Sequence, residues 1–186
     1  MSARALAAAV LLLAALARAD EVPAPLQAQL LAKMSAYIVG FAPGQDGAVK
    51  VVVVHGGSAE APSRGAQAIA AALTQVGQFG GARVEAKLVA LSDAKSLRAT
   101  LTSEKPQFVY VAPELASSAA AGVVEAASTG TAVTVSPVPE HVKLGVMLGF
   151  ELVEARPQLL VNLKQAHKQN VDFHSGLLRH AVIVDR

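Results

Sequence analysis

Lys50-Val51-Val52-Val53-Val54-His55-Gly56-Gly57 is the stretch that decides the fold. Four β-branched residues in succession, with no polar alternation, describe a strand buried on both faces, as in a parallel sheet covered by helices. The glycine pair stops it in a sharp turn. Beyond that turn Ala66, Ile69, Ala70, Leu73 and Val76 recur at the three- and four-residue spacing of one helix face, which a Gly80-Gly81 turn closes. The rhythm then repeats. Residues 84–91 read as a strand, and Ser92 as the N-cap of a helix carrying Ala94, Leu97 and Leu101. Residues 108–112 read as a strand, 117–127 as a helix with Gly130 as its stop, and 132–135 as a fourth strand. Strands alternating with helices imply right-handed crossovers and parallel pairing.

Working outward, Leu26, Leu30, Met34, Tyr37, Ile38 and Phe41 predict an opening helix that ends at Ala42-Pro43-Gly44. Past Pro139 the pattern changes. Residues 146–153 and 158–163 are strand-like, and Glu154-Ala155-Arg156-Pro157 between them suits a hairpin turn. Two short helices are expected over 163–170 and 175–184. The expectation is one α/β domain over residues 20–186, with a Rossmann-like layered fold. Its sheet is mostly parallel, with a C-terminal β-hairpin and two short C-terminal helices.

Composition bounds the function. Of 186 residues 53% are apolar and 16% charged, which excludes a disordered chain. With no cysteine, the chain has no disulfide framework, thiolate metal site or Cys nucleophile. The N-terminus begins Met-Ser-Ala-Arg4, continues as an apolar run from Ala5 to Ala17, and reaches Ala17-Arg18-Ala19 before Asp20. That is the three-part pattern of a secretory signal peptide over residues 1–19. The run is shorter than the ~20 apolar residues a membrane span needs, so no stable membrane insertion is expected after cleavage behind Ala19. Cleavage removes Arg4 and Arg18, which leaves fourteen basic against fourteen acidic residues. Nucleic-acid binding needs a clustered excess of cations and is not expected.

Candidate sites are few. His55, Gly56, Gly57 and Ser58 follow a strand and precede a helix, where open α/β sheets bind ligands; Ser136 ends another strand and joins them as a candidate ligand-binding set. No phosphate-binding glycine motif is present, and no cofactor is expected. A hydrolase built on His55 and Ser58 lacks both the nucleophile elbow and an orienting acid, so no catalytic residue is assigned. His167, His174 and His180 stand seven and six apart, outside the three- or four-residue spacing of helical metal chelates, and no metal site is assigned. Tyr37, Ile38 and Phe41 form the candidate partner surface. Asn162 with Gln165 three residues on suits a capping box, and Ser175 suits a second helix cap.

The last fifty residues carry a recognisable series: Gly145-Val-Met-Leu-Gly149-Phe-Glu-Leu, then Pro157-Gln-Leu-Leu-Val-Asn162-Leu, Ala166, Asn170-Val-Asp-Phe173, Ser175 and Leu177-Leu178-Arg179-His180-Ala181. This series resembles the C-terminal signature of the YfiR-like family of periplasmic proteins. The resemblance implies a small, non-catalytic α/β protein of the periplasm. Well-understood members restrain an inner-membrane diguanylate cyclase by binding its periplasmic domain, and so control cyclic-di-GMP and biofilm growth. The resemblance transfers no partner-contacting residue. The expected partner is an envelope protein, with a periplasmic small-molecule binder as the alternative reading. The exported form is predicted to begin at Asp20, which intact-mass measurement of the protein from the cell envelope checks; a mass that includes Met1 contradicts it.

Overall fold

In the computed structural model, which describes residues 21–58 and 60–185, seven of the eight residues of β1 (Ala48–His55) are buried. The signal-peptide reading of residues 1–19 lies outside the described residues. β1 runs parallel to β5 (Ala82–Ala90) on one side and to β6 (Phe108–Val111) on the other. Val49, Val51 and Val53 enter one core layer, and Val52 and Val54 enter the opposite one. The first layer is closed by α1 (Ala24–Ser35) and α2 (Arg64–Val76), the second by α3 (Ala94–Glu104) and α4 (Ser117–Ala127). The expected three-layer α/β arrangement is therefore what the chain adopts.

The sheet has eight strands in the order β10-β9-β8-β7-β6-β1-β5-β4. Its remaining members are β4 (Gln78–Phe79), β7 (Val133–Ser136), β8 (Leu148–Val153), β9 (Arg156–Asn162) and β10 (Ala181–Asp185). All pairs are parallel except the hairpins β4–β5 and β8–β9. The β8–β9 turn is tighter than the four residues expected from the sequence. Glu154 and Ala155, at φ 50° and 60°, make a two-residue turn whose twist matches that of the flanking strands. A separate ribbon of β2 (Gly57–Ser58) and β3 (Ala61–Pro62) leads into α2, and α5 (Pro139–Lys143), α6 (Leu163–Lys168) and α7 (Ser175–Leu178) complete the described elements. Among the described residues no helix is long and apolar enough to cross a membrane.

Several expectations are corrected. The opening helix stops at Ser35, not at Phe41, because Ile38 leaves the helix to bridge Phe173. Val39 N–H donates to the Asp172 carbonyl and His174 N–H to that of Tyr37. The second C-terminal helix is one turn long; the β-branched run Val182-Ile183-Val184 becomes the strand β10 beside β9. Gly77, at φ 73°, ends α2, which leaves Gly80-Gly81 to turn the β4–β5 hairpin. Asp93, not Ser92, caps α3. Ser128, not Gly130, follows α4 as its C-cap.

The caps form one buried polar cluster. Asn162 Oδ1 accepts from Gln165 N–H at 2.9 Å, and its Nδ2 donates to the Val142 carbonyl at 2.9 Å, so one side chain ties the start of α6 to the end of α5. The reciprocal half of a capping box is absent, because Asn162 N–H is already taken by the Met147 carbonyl. Gln165 turns its amide instead to Ser128 and Gln169, and Gln169 donates to the carbonyls of Ala127, the last residue of α4, and of Gly130 beyond it. Ser175 is not a cap: His174 holds the N-cap position of α7, and no side chain caps that turn. Asn162→Ala is expected to cost ~2–3 kcal/mol, above the ~1 kcal/mol of a cap alone, because it also strands a buried carbonyl. Urea unfolding measures this, and a loss below ~1 kcal/mol would show that neither bond is held in water's absence.

Candidate functional site

Chain winding reverses between β1 and β6: β1 leads through α2 to β5 on one side, while β6 leads through α4 to β7 on the other. In open α/β sheets the crevice at that reversal, outside the carboxyl ends of the strands, takes ligands. His55 and Gly56 stand there. Gly57 and Ser58 lie on the exposed β2. Gly57, at φ 91°, occupies left-handed space that a side chain would strain, with the Ala61 carbonyl 3.1 Å from the place of a Cβ. Ser58 Oγ accepts from Ala61 N–H, so its bond serves the ribbon.

His55 is 1% exposed. Its Nδ1 lies 2.6 Å from the Gly56 carbonyl. A carbonyl only accepts, so Nδ1 carries a proton and donates it there. Nε2 is buried and has no hydrogen-bond partner among the described residues.

Ser136 is brought into a contact that sequence reasoning missed. Its Oγ lies 2.8 Å from His141 Nδ1, and His141 Nε2 donates to the Leu115 carbonyl at 3.1 Å. A serine bonded to a histidine suggests a nucleophile and its base, but that chemistry needs solvent access and an acid to orient the imidazole. Here both side chains are buried and the third group is a neutral carbonyl. The pair acts as a brace between β7, α5 and the loop after β6. Burial holds the His141 pKa below its ordinary value, partly opposed by the Leu115 hydrogen bond.

The partner-surface candidates separate. Ile38 is buried, and Phe41 lies with its ring 5.6 Å from that of Phe108, so both serve the core. Tyr37 alone is exposed, at 41%. It stands at the rim of an open cavity of about 220 Å³ between the end of α1, the β8–β9 hairpin and α7. Leu30, Met34, Phe150 and Leu177 supply apolar walls, and Lys33 and His180 supply polar ones. Gly176 lets the Tyr37 ring close in, its missing Cβ only 3.2 Å from Tyr37 Cε1. Among the described residues no three His, Asp or Glu side chains gather closely enough to hold a metal ion.

A family model described as YfiR/HmsC-like matches residues 25–182, a span that includes every wall of this cavity. The chain belongs to the YfiR/HmsC-like family. No curated protein matches it in sequence. Among solved structures, the YfiR/HmsC-like chain resembles an ABC domain in complex with L-Trp from Streptococcus pneumonia, at 12% identity and TM-score 0.59, covering 87% of this chain and 61% of that one. It also resembles a conserved domain protein from Vibrio cholerae O1 biovar eltor, at 12% identity and TM-score 0.56, covering 87% and 60%. A third likeness is to the ligand-free, open structure of a substrate-binding protein with adhesive properties from Clostridium difficile, at 14% identity and TM-score 0.53, covering 74% and 54%. These likenesses are of fold. The chain spans only 54–61% of the length of these three structures.

His141 gives a pH prediction. Its folded pKa lies below its unfolded one, so the unfolded chain binds the proton more readily. Stability from this group is complete above the ordinary histidine value and is lost as pH falls below that value toward the folded pKa. Urea midpoints are expected to drop between neutral pH and pH ~5, and less steeply in His141→Gln. Equal slopes in the two proteins would contradict the brace.

Proposed function

We propose that the protein is an exported, non-catalytic regulator in the periplasm that acts by protein–protein contact. Its partner is an envelope protein, and the family resemblance directs the choice to the periplasmic domain of a membrane diguanylate cyclase. The observation that carries the reading is Tyr37, exposed at the mouth of an apolar cavity of about 220 Å³. Ligand pockets run to ~300–1,000 Å³. A smaller cavity suits a single large side chain, and one anchor in a pocket beside an exposed aromatic is how protein interfaces concentrate their energy. Lys33 at the wall adds positive charge for an acidic neighbour of that anchor. A protein exported as the pattern of residues 1–19 predicts reaches a cytoplasmic signal only through a membrane partner, which agrees with this reading.

Deletion of the gene is expected to raise cyclic-di-GMP and matrix production, and the full-length gene to reverse both. Tyr37→Glu should accumulate normally yet fail to complement, since losing an interface aromatic worth ~2 kcal/mol weakens binding about 30-fold. No change in either readout on deletion would overturn the regulatory reading.

The second reading is a small-molecule binder at the β1–β6 crevice. It is favoured by the Nε2 of buried His55, which has no partner among the described residues and offers a ligand a polar contact, and by the likeness in fold to one substrate-binding protein. Ser136 no longer belongs to that site, being sealed against His141. Saturation at ~100 times Kd would add ~2.7 kcal/mol of stability, so a thermal-shift screen of metabolites, repeated on His55→Phe, separates this reading from the first.

A further inference from the structure

A cleft of about 1000 Å³ opens before the amino ends of β6 and β7, away from the β1–β6 crevice at the carboxyl ends. Open α/β sheets take their ligands at the carboxyl ends, so the fold alone does not call for this space. It exists because the chain after α1 runs along the amino ends as a wall of its own. Ile38 bridges Phe173, the Phe41 ring lies 5.6 Å from that of Phe108, and Gly44 N–H donates to the Ala48 carbonyl at 2.7 Å. Residues 38–46 thus form one side, and the last turns of α3 and α4 form another. Those contacts hold the walls apart by themselves, so the cleft is preformed, as binding sites commonly are.

Its electrostatics exclude charged ligands. Four charged residues line it: Asp46, Lys50, Glu104 and Lys105. Asp46 pairs with Lys50 at 2.8 Å and Glu104 pairs with Lys87, so of the four only Lys105 makes no ion pair among the described residues. α3 and α4 bring their carboxyl ends to the cleft, where the helix dipole is negative. A phosphate or carboxylate would meet those ends with one cation to hold it, and a cation would meet Lys105. The ligand that fits is uncharged. Its polar contacts are legible too. Gln107 Oε1 accepts from Lys50 N–H at 2.8 Å while Gln107 N–H donates to the Lys50 carbonyl at 3.0 Å, which fixes the side-chain amide and leaves Nε2 as a positioned donor. The Thr102 carbonyl, in the last turn of α3, lacks a helical donor because Pro106 stands four residues on. Asn170, at φ 54°, is exposed, and its side-chain amide makes no hydrogen bond among the described residues. These groups share the cleft with the half-buried ring of Phe41.

We propose that this cleft binds a neutral oligosaccharide. Each sugar hydroxyl is both donor and acceptor, which answers Gln107 Nε2, the Asn170 amide and the Thr102 carbonyl together. The C–H face of a sugar ring is apolar and packs on an aromatic ring such as that of Phe41. The volume of about 1000 Å³ stands at the top of the ~300–1,000 Å³ range of small-molecule sites, so several linked rings fit better than one. A peptide is a poorer match, because it needs a free strand edge or an apolar groove, and this cleft offers strand ends and polar groups. The site shares no lining residue with the Tyr37 cavity and stands independently of the regulatory reading.

Amide chemical-shift titration of the purified, isotope-labelled protein tests this, with cellotriose, maltotriose and triacetylchitotriose as probes and a glucose phosphate as the charged control. At least one trisaccharide is expected to shift amides of residues 38–46, 101–107 and 129–133 saturably, with a Kd at or below ~1 mM. The glucose phosphate should bind at least about tenfold more weakly, since the helix carboxyl ends oppose it. Gln107→Glu keeps the oxygen that Lys50 N–H needs and removes the donor; Asn170→Gly keeps the backbone angle and removes the amide. Each should weaken binding about tenfold, the worth of one hydrogen bond, with an unchanged thermal midpoint. No saturable shift from any of the three trisaccharides at ~10 mM, or shifts confined to residues outside the cleft, would overturn the proposal. So would tighter binding of the glucose phosphate, or undiminished binding by both variants.

Discussion

The structure depends on the burial of β1 on both faces. A strand with no wet face must satisfy its backbone on both edges, because an unpaired buried amide costs about as much as a lost hydrogen bond. β5 and β6 supply those bonds. The Val49, Val51 and Val53 face and the Val52 and Val54 face must each meet a helix layer, and α1 with α2, and α3 with α4, are those layers. Once β1 is central, the N-terminal helix and the C-terminal strands are carried to the periphery, where the exposed tyrosine, its cavity and the outer edge of β10 lie.

Polar groups inside the layers decide where the peripheral pieces sit. Tyr110, on β6, donates to Gln27 Oε1 at 2.5 Å, and Gln27 Nε2 donates to the Val22 carbonyl at 2.6 Å. This buried chain pins the first turns of α1 to the sheet. Burial pushes the Tyr110 phenol well above its ordinary pKa, so it remains a donor throughout the physiological range. With α1 fixed at that end, its last turn is directed toward the β8–β9 hairpin. There the cross-links from Asp172 and His174 hold Tyr37 at the cavity rim. The Asn162, Gln165 and Gln169 cluster does the same for the C-terminal segment. The geometry at this end of the molecule is thus a consequence of specific hydrogen bonds as well as of apolar packing.

Much of this was legible in the residues. The strand around Val51–Val54, the helix over 117–127 and the hairpin at Glu154 each carry their own local signature, and each appears where it is read. The exceptions have one physical cause. Ile38 and Phe41 continue the helical spacing of Leu26, Leu30 and Met34 because all pack in or against the same core, yet Ile38 is buried by bridging Phe173, a contact 135 residues away that no periodicity reveals. Val182, Ile183 and Val184 follow Leu177 and Leu178 and so extend an apparent helix, although a β-branched run favours a strand once a neighbour offers an edge. The Ser136–His141 contact had a faint signal, five residues apart across a proline-started helix. The cavity had none, because its walls come from three distant segments.

The surface around Tyr37 is the proposed contact with the envelope partner. Site-specific photo-crosslinking in intact cells tests that claim most directly, with a photoreactive residue placed at position 37 in one strain and at Lys87, on the opposite edge of the sheet, in another. Crosslinks from position 37 to one inner-membrane protein bearing a cyclase domain, with none from position 87, are the predicted result. Crosslinks to that protein from position 87 and none from position 37, or no envelope partner from either, would contradict it.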